Sequence, residues 1–351
     1  MISYRSAIRS IFGLVLCLLG AKLFSLMDTV LPWMIGPMVT MALASMFALP
    51  VTSPPLALPV GQLIVGCALG LFFTGAVLLQ VWALTPYLVA ASLFAFVLGC
   101  MSAAFLKKLS GCDSSTAFFA SLPGGAAEMS NLATVLGGRN DWVAAAHTLR
   151  VVMVVIAVPP LLTLSGVHGY VAGIYSITET QYSGLACILF LSIGGGWILQ
   201  HLKVPNAWMI GPLLITMLVT GFGFETSAMP LWGSNAAQLL IGCALGSRFD
   251  KAFLRSGSKF ITAVCMTVAL SIALAGVFGL LISWVSGIDF PTAILATAPG
   301  GVAEMSVTAK FLQLGVPIVT AFHVMRMAFL VLSAKKLFLI YKKFDSFIGF
   351  K

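Results

Sequence analysis

Two carboxylates stand where an apolar chain can least tolerate them. Glu128 lies within Pro123-Gly-Gly-Ala-Ala-Glu-Met-Ser130, and Glu304 within Pro299-Gly-Gly-Val-Ala-Glu-Met-Ser306. A carboxylate at membrane depth is costly and by default marks an ion pathway, a proton relay or a substrate contact. Glu128 and Glu304 are therefore read as coupling groups for H+ or Na+. Beside them, Pro123-Gly124-Gly125 and Pro299-Gly300-Gly301 interrupt a helix. The helix end exposed there offers unpaired N–H groups and a partial positive charge, suited to an anion or ion. Ser130 and Ser306 add hydroxyls that can ligate an ion. Farther on, His147-x-x-Arg150 and His323-x-x-Arg326 each place an imidazole and a guanidinium on one helix face. Arg suits an anionic solute and His suits proton handling. A structural reading competes: each Glu pairs with the Arg of the next helix, and each His is neutral and satisfied by a hydroxyl or carbonyl.

These matches belong to a duplication. Trp33-Met-Ile-Gly-Pro37 recurs as Trp208-Met-Ile-Gly-Pro212, and Gln62-Leu-Ile-Val-Gly-Cys-Ala-Leu-Gly70 as Gln238-Leu-Leu-Ile-Gly-Cys-Ala-Leu-Gly246. The offset scarcely drifts between blocks, so the copies are nearly free of insertions. The chain divides into repeats at 1–170 and 171–351. Gly66-x-x-x-Gly70 and Gly242-x-x-x-Gly246 are small-residue faces that let helices pack closely. Gln62 and Gln238 either line a pathway or bond between helices.

Hydrophobic residues make up 60% of the 351 and charged residues 8%, and mean hydropathy is +1.07. A soluble domain carries about 25% charged residues, so this chain cannot coat itself with charge. Apolar runs of roughly 20 residues recur throughout, long enough to cross a bilayer core as helix. The class is a polytopic α-helical membrane protein whose first partner is the lipid bilayer. The net charge of +9 reads as a topology signal rather than an affinity for nucleic acid, because no basic run is interleaved with aromatics. The seven cysteines form no Cys-x-x-Cys and read as packing residues. With four histidines and no His-x-x-x-His spacing, no metal site is assigned. No cofactor is expected, and no Ser/His/Asp nucleophile arrangement is present, so no residue is assigned as catalytic and the chain is not expected to be an enzyme. Arg9–Met27 is kept as a membrane helix, since it lacks a cleavage site and has a counterpart around Gly184–Leu202.

Each half reads as six apolar segments, near 8–27, 33–49, 59–80, 86–106, 114–137 and 142–164, then 183–200, 208–224, 235–249, 260–284, 290–313 and 317–341. In the fifth of each, Pro-Gly-Gly leaves about ten residues on either side, a rise of about 15 Å or half the hydrocarbon thickness. Each is either a re-entrant hairpin or a broken crossing helix. Basic residues set the orientation. Arg5, Arg9, Lys107 and Lys108 flank one side of the first half; Arg248, Lys251, Arg255 and Lys259, then Lys335, Lys336, Lys342 and Lys343, flank exchanged positions in the second. By the positive-inside rule the copies are inverted, with N- and C-termini cytoplasmic. The expected fold is an all-α polytopic membrane protein of two inverted-topology repeats, each with about five crossing helices plus one re-entrant or broken helix, an arrangement common in secondary transporters.

With both copies laid out, the chain resembles the bacterial AbrB membrane-duplication family, distinct from the small soluble DNA-binding regulator of that name. The resemblance covers essentially the whole chain. The signature falls on Pro123, Gly124, Gly125, Ala127, Glu128 and Met129, and on Pro299, Gly300, Gly301, Ala303, Glu304 and Met305. It implies a multi-pass protein of the bacterial inner (cytoplasmic) membrane. It also implies an architecture like the five-plus-five, broken-helix fold of sodium–proton antiporters and bile-acid-type carriers. Members are labelled regulators of gene expression, and some ammonia monooxygenases.

Three functions follow as expectations. The first is an ion- or proton-coupled secondary transporter of a small solute, with a midplane site between inverted repeats and a homo-oligomer as one possible assembly. The second is a membrane-embedded regulator acting indirectly, since no segment here resembles a DNA-reading domain. The third is a membrane oxidoreductase, disfavoured by the histidine count.

Overall fold

A computed structural model describes residues 4–164, 180–224, 227–249, 253 and 257–348. Most of the loop between the copies, with Lys251 and Arg255, lies outside them. Among the described residues there are fifteen helices and no strand. In hydrocarbon every backbone polar group needs an internal partner, which a helix supplies within one segment.

The first copy gives α1 (Tyr4–Leu26), α2 (Pro32–Met46), α3 (Ala57–Gly70), α4 (Gly75–Ala83), α5 (Thr85–Ser110), α6 (Ser114–Ser121), α7 (Ala126–Val135) and α8 (Asn140–Leu164). The second gives α9 (Tyr182–His201), α10 (Ala207–Gly221), α11 (Leu231–Gly246), α12 (Ser258–Ser286), α13 (Phe290–Thr297), α14 (Val302–Phe311) and α15 (Val316–Ile348). Among the described residues six helices are long and apolar enough to cross a membrane: α1, α5, α8, α9, α12 and α15. The segment expected at 59–80 is not straight. It turns by 93° between α3 and α4, and counting that bent pair as one span gives seven. Helices α2 and α10 have 15 residues each, about 22 Å of rise against a core of about 30 Å.

The chain folds as two compact units. One gathers α1–α4, α9–α11 and the end of α14; the other gathers α5–α8, α12, α13, the start of α14 and nearly all of α15. Neither coincides with a sequence copy, because each takes corresponding pieces from both.

In the first unit the glycine faces pack across copies. A Cβ on Gly66 would strike the Met209 carbonyl of α10, and one on Gly70 would sit 2.6 Å from Thr216 Cβ. The exchange is reciprocal. A Cβ on Gly242 would fall 2.5 Å from the Met34 carbonyl of α2, and Gly246 stands equally close to Met38. The two Trp-Met-Ile-Gly-Pro blocks are thus the surfaces against which the opposite copy's Gly-x-x-x-Gly packs. Within each copy, Gly20 meets Gly36 and Gly195 meets Gly211. Backbones this close gain van der Waals contact that larger residues would forbid.

In the second unit the equivalent helices α5 and α12 pack antiparallel. Tyr87 Oη donates to the Val285 carbonyl at 3.3 Å. The Phe94 and Phe278 rings stack with centroids 3.9 Å apart, and the Ser102 and Ser271 hydroxyls bond at 2.9 Å. As residue numbers rise along α5 they fall along α12, at roughly heptad steps. Around this pair a core draws on both copies: Phe118, Phe119, Leu122, Met129 and Val143 from one, Phe260, Val264, Leu330, Phe338 and Tyr341 from the other.

Candidate functional site

The first broken segment is a re-entrant hairpin. Gly111, in the left-handed region at φ 75°, ends α5. Asp113 then caps α6, accepting from the Thr116 N–H at 2.7 Å and from the Thr116 hydroxyl at 2.5 Å. At the far end of α7, the Arg139 N–H donates to that same Thr116 Oγ1 at 2.8 Å, and Gly138 lies against Ser115. The start of α6 and the end of α7 are therefore neighbours, and the chain turns back at Pro123-Gly-Gly. The second copy opens alike, with Gly287 at φ 72° and Asp289 accepting from the Thr292 N–H at 3.2 Å.

At each tip the motif explains itself sterically. The Glu128 carboxylate folds back over Gly125, filling the place a Cβ would take, and the Met129 side chain covers Gly124. Glu304 and Met305 do the same over Gly301 and Gly300. Both glutamates lie in the first turn of the second half-helix, α7 or α14, where the helix dipole favours negative charge. Glu128 is half-buried, whereas Glu304 is 7% exposed.

The His-x-x-Arg pairs close the other side of the break. The last carbonyls of a helix lack intrahelical partners, and α8 and α15 supply donors to them. His147 Nε2 meets the Phe119 carbonyl at 2.9 Å, and Arg150 donates to the Leu122 carbonyl at 3.1 Å. In the second copy His323 Nε2 meets the Leu295 carbonyl at 3.0 Å. Arg326 donates at 2.6 Å to both Ala298 and Gly300. Because Nε2 faces a carbonyl, it carries a proton in both histidines. Nδ1 of His147 accepts from Arg150 at 2.8 Å, while Nδ1 of His323 is buried without a hydrogen-bond partner. The cations also sit at the negative ends of α6 and α13, as the helix dipole favours.

The Glu–Arg pairing considered above is not the arrangement found: among the described residues neither arginine makes an ion pair, and Arg139–Asp141 at 2.8 Å is an exposed surface pair. Arg150 and Arg326 are 6% and 5% exposed. The Nε of each has no hydrogen-bond partner. The second unit thus brings together Pro123–Ser130, His147, Arg150, Pro299–Glu304, His323 and Arg326; Ser306 groups with the first. The Ser130 hydroxyl is buried and unpartnered.

Three residues were not singled out from the sequence. Asp113 and Asp289 open the hairpins, and a Gly-x-Asp preceding each broken segment at matching positions was the available signal. Lys310, in the last turn of α14, is a lone base in an apolar run.

An all-α, bilayer-type protein of paired helix-break modules is the class that this fold and site define. The chain belongs to the family described as transition state regulatory protein AbrB, whose profile matches residues 33–341. It is similar to the uncharacterized protein YhjN of Bacillus subtilis (strain 168), 26% identical over 340 residues and covering 89% of this chain and 88% of that one. It is also similar to the putative regulator AbrB of Escherichia coli (strain K12), 25% identical over 302 residues, 86% of this chain and 87% of that one.

Proposed function

We propose that this protein is an ion- or proton-coupled secondary transporter of a small anionic solute, working in the bacterial inner membrane with both termini cytoplasmic. The observation that carries this reading is the pair of buried guanidiniums at the two helix breaks, each with an unpartnered Nε and no ion pair among the described residues. A buried cation without a counter-charge is strongly destabilising. The half-helix carbonyls offset part of that cost; an anion reaching both Nε groups offsets more. In this reading Arg150 and Arg326 hold the solute, and Glu128 and Glu304 exchange H+ or Na+. The antiparallel pairing of α5 with α12 supports inverted copies, which give a site that opens to either face in turn.

In proteoliposomes holding candidate organic anions, a pH or sodium gradient drives uptake, and Glu128→Gln with Glu304→Gln abolishes the coupling. Undiminished gradient-driven uptake by the double variant overturns the coupling roles. For orientation, single cysteines at 108 and 259 should label from the cytoplasm, and those at 139 and 313 from opposite faces.

The regulator name carried by the Escherichia coli relative favours a second reading, in which gene expression responds indirectly. A glutamate variant that loses uptake yet keeps the expression response separates the two.

A further inference from the structure

The duplication holds at Pro-Gly-Gly, Glu, Ser, His and Arg, and breaks at Lys310. Its counterpart is Thr134, whose hydroxyl donates to the Ser130 carbonyl of its own helix at 3.1 Å. Lys310 instead reaches out of its helix within the first unit. Its Nζ donates to Ser234 Oγ at 3.2 Å and stands 6.0 Å from the Phe72 ring centroid.

Beside it lies a cavity of about 20 Å³, lined by Ile64, Val65, Ala68 and Leu69 of α3, Ser234 and Gln238 of α11, and Val307. Room for one water needs about 10–15 Å³, so this space suits one small guest. Apart from their cysteines, α3 and α11 contain no acidic or basic residue. Cys67 turns to Ser192 and Thr216, and Cys243 packs with Cys17 and Met41. The nearest acid along α14 is Glu304, folded over Gly301. Among the described residues Lys310 has no ion pair, and the Gln238 amide lines the same space. An ammonium has three N–H donors, and one is used here.

We infer that this cavity is an anion site, present in one copy only, that takes a monovalent anion no larger than the head of a carboxylate. Lys310 supplies the charge, and Ser234 and Gln238 supply neutral polar contacts. The apolar walls strengthen the attraction by excluding water. The inference does not rest on the transport reading, whose arginines lie in the second unit.

The test uses the full chain purified in detergent with gluconate as the only anion. Formate, acetate or chloride is titrated in at constant ionic strength while the thermal unfolding midpoint is followed, since a ligand that binds the folded state raises it. The wild type should show a saturable rise. Lys310→Thr, which installs the first copy's residue, and Gln238→Leu should need at least about tenfold more anion for the same rise, while Lys310→Arg keeps the response. A response to chloride as strong as to formate identifies a free inorganic ion; a stronger response to formate and acetate identifies a carboxylate head. Both support the site. An identical saturable response in Lys310→Thr overturns it, as does a wild type indifferent to all three anions, a result that requires no variant to fold.

Discussion

The two helix breaks share a motif and differ in how their charges are spent. In the first copy Arg150 divides its donors between the Leu122 carbonyl and His147. In the second, Arg326 gives both to carbonyls, Ala298 and Gly300. Glu128 is half-buried where Glu304 is buried, and Thr134 stands where the second copy has Lys310. Duplication kept the geometry that holds a break open and let the charge inventory diverge. The difference shows which parts are scaffold: the glycines, the back-folded Glu and Met, and the bonds from His-x-x-Arg to the equivalent carbonyls Phe119 and Leu122 or Leu295 and Ala298 recur, whereas the second partner of each arginine does not.

Arginine removal breaks the comparison most sharply. Hydrogen bonds to charged groups are worth about 1.5–3 kcal/mol each. Arg326→Ala, which frees two carbonyls, should therefore cost about 3 kcal/mol or more, and Arg150→Ala about 2, read as a larger drop in thermal midpoint for the former. Next come Gly125→Ala and Gly301→Ala, where a methyl must displace a carboxylate. Overpacking of this kind costs about 1–3 kcal/mol, and near-equal losses in the two variants would confirm that the tips are equivalent. The caps come next: Asp113→Ala should cost about 1 kcal/mol, because Asp113 holds both the N–H and the hydroxyl of Thr116, and the thermal midpoint reads the loss. Smallest is Asp141→Asn, which removes an exposed ion pair and should change stability by less than about 0.5 kcal/mol.

Much of this was legible in the residues, and the rest for definite reasons was not. Helix content, the duplication and the two breaks followed from hydropathy, repeated strings and Pro-Gly-Gly, all local signals. His147 and Arg150 were readable as one helix face, but their partners were not. A backbone carbonyl leaves no mark in a sequence, so Phe119 and Leu122 could not be told from Glu128 as the target. The hairpin was left open against a crossing helix, and it is settled by one contact between Arg139 and Thr116. The sharp turn after Gly70 escaped because Leu71-Phe-Phe-Thr74 contains no helix breaker. Cross-copy packing escaped altogether, since a Gly-x-x-x-Gly face shows that a helix packs closely without naming its partner.

That exchange has a consequence for how the molecule comes into being. The small-residue seam of α3 waits for α10, and the face of α2 around Met34 and Met38 waits for the glycines of α11, so the amino-terminal half leaves the ribosome with its docking surfaces vacant. It completes itself only after the later half has been synthesised. An unduplicated ancestor could have met the same need by pairing with a second molecule of itself, one threaded the opposite way. Two gene fragments severed between the copies should accordingly be inert singly and regain a folded protein when produced together.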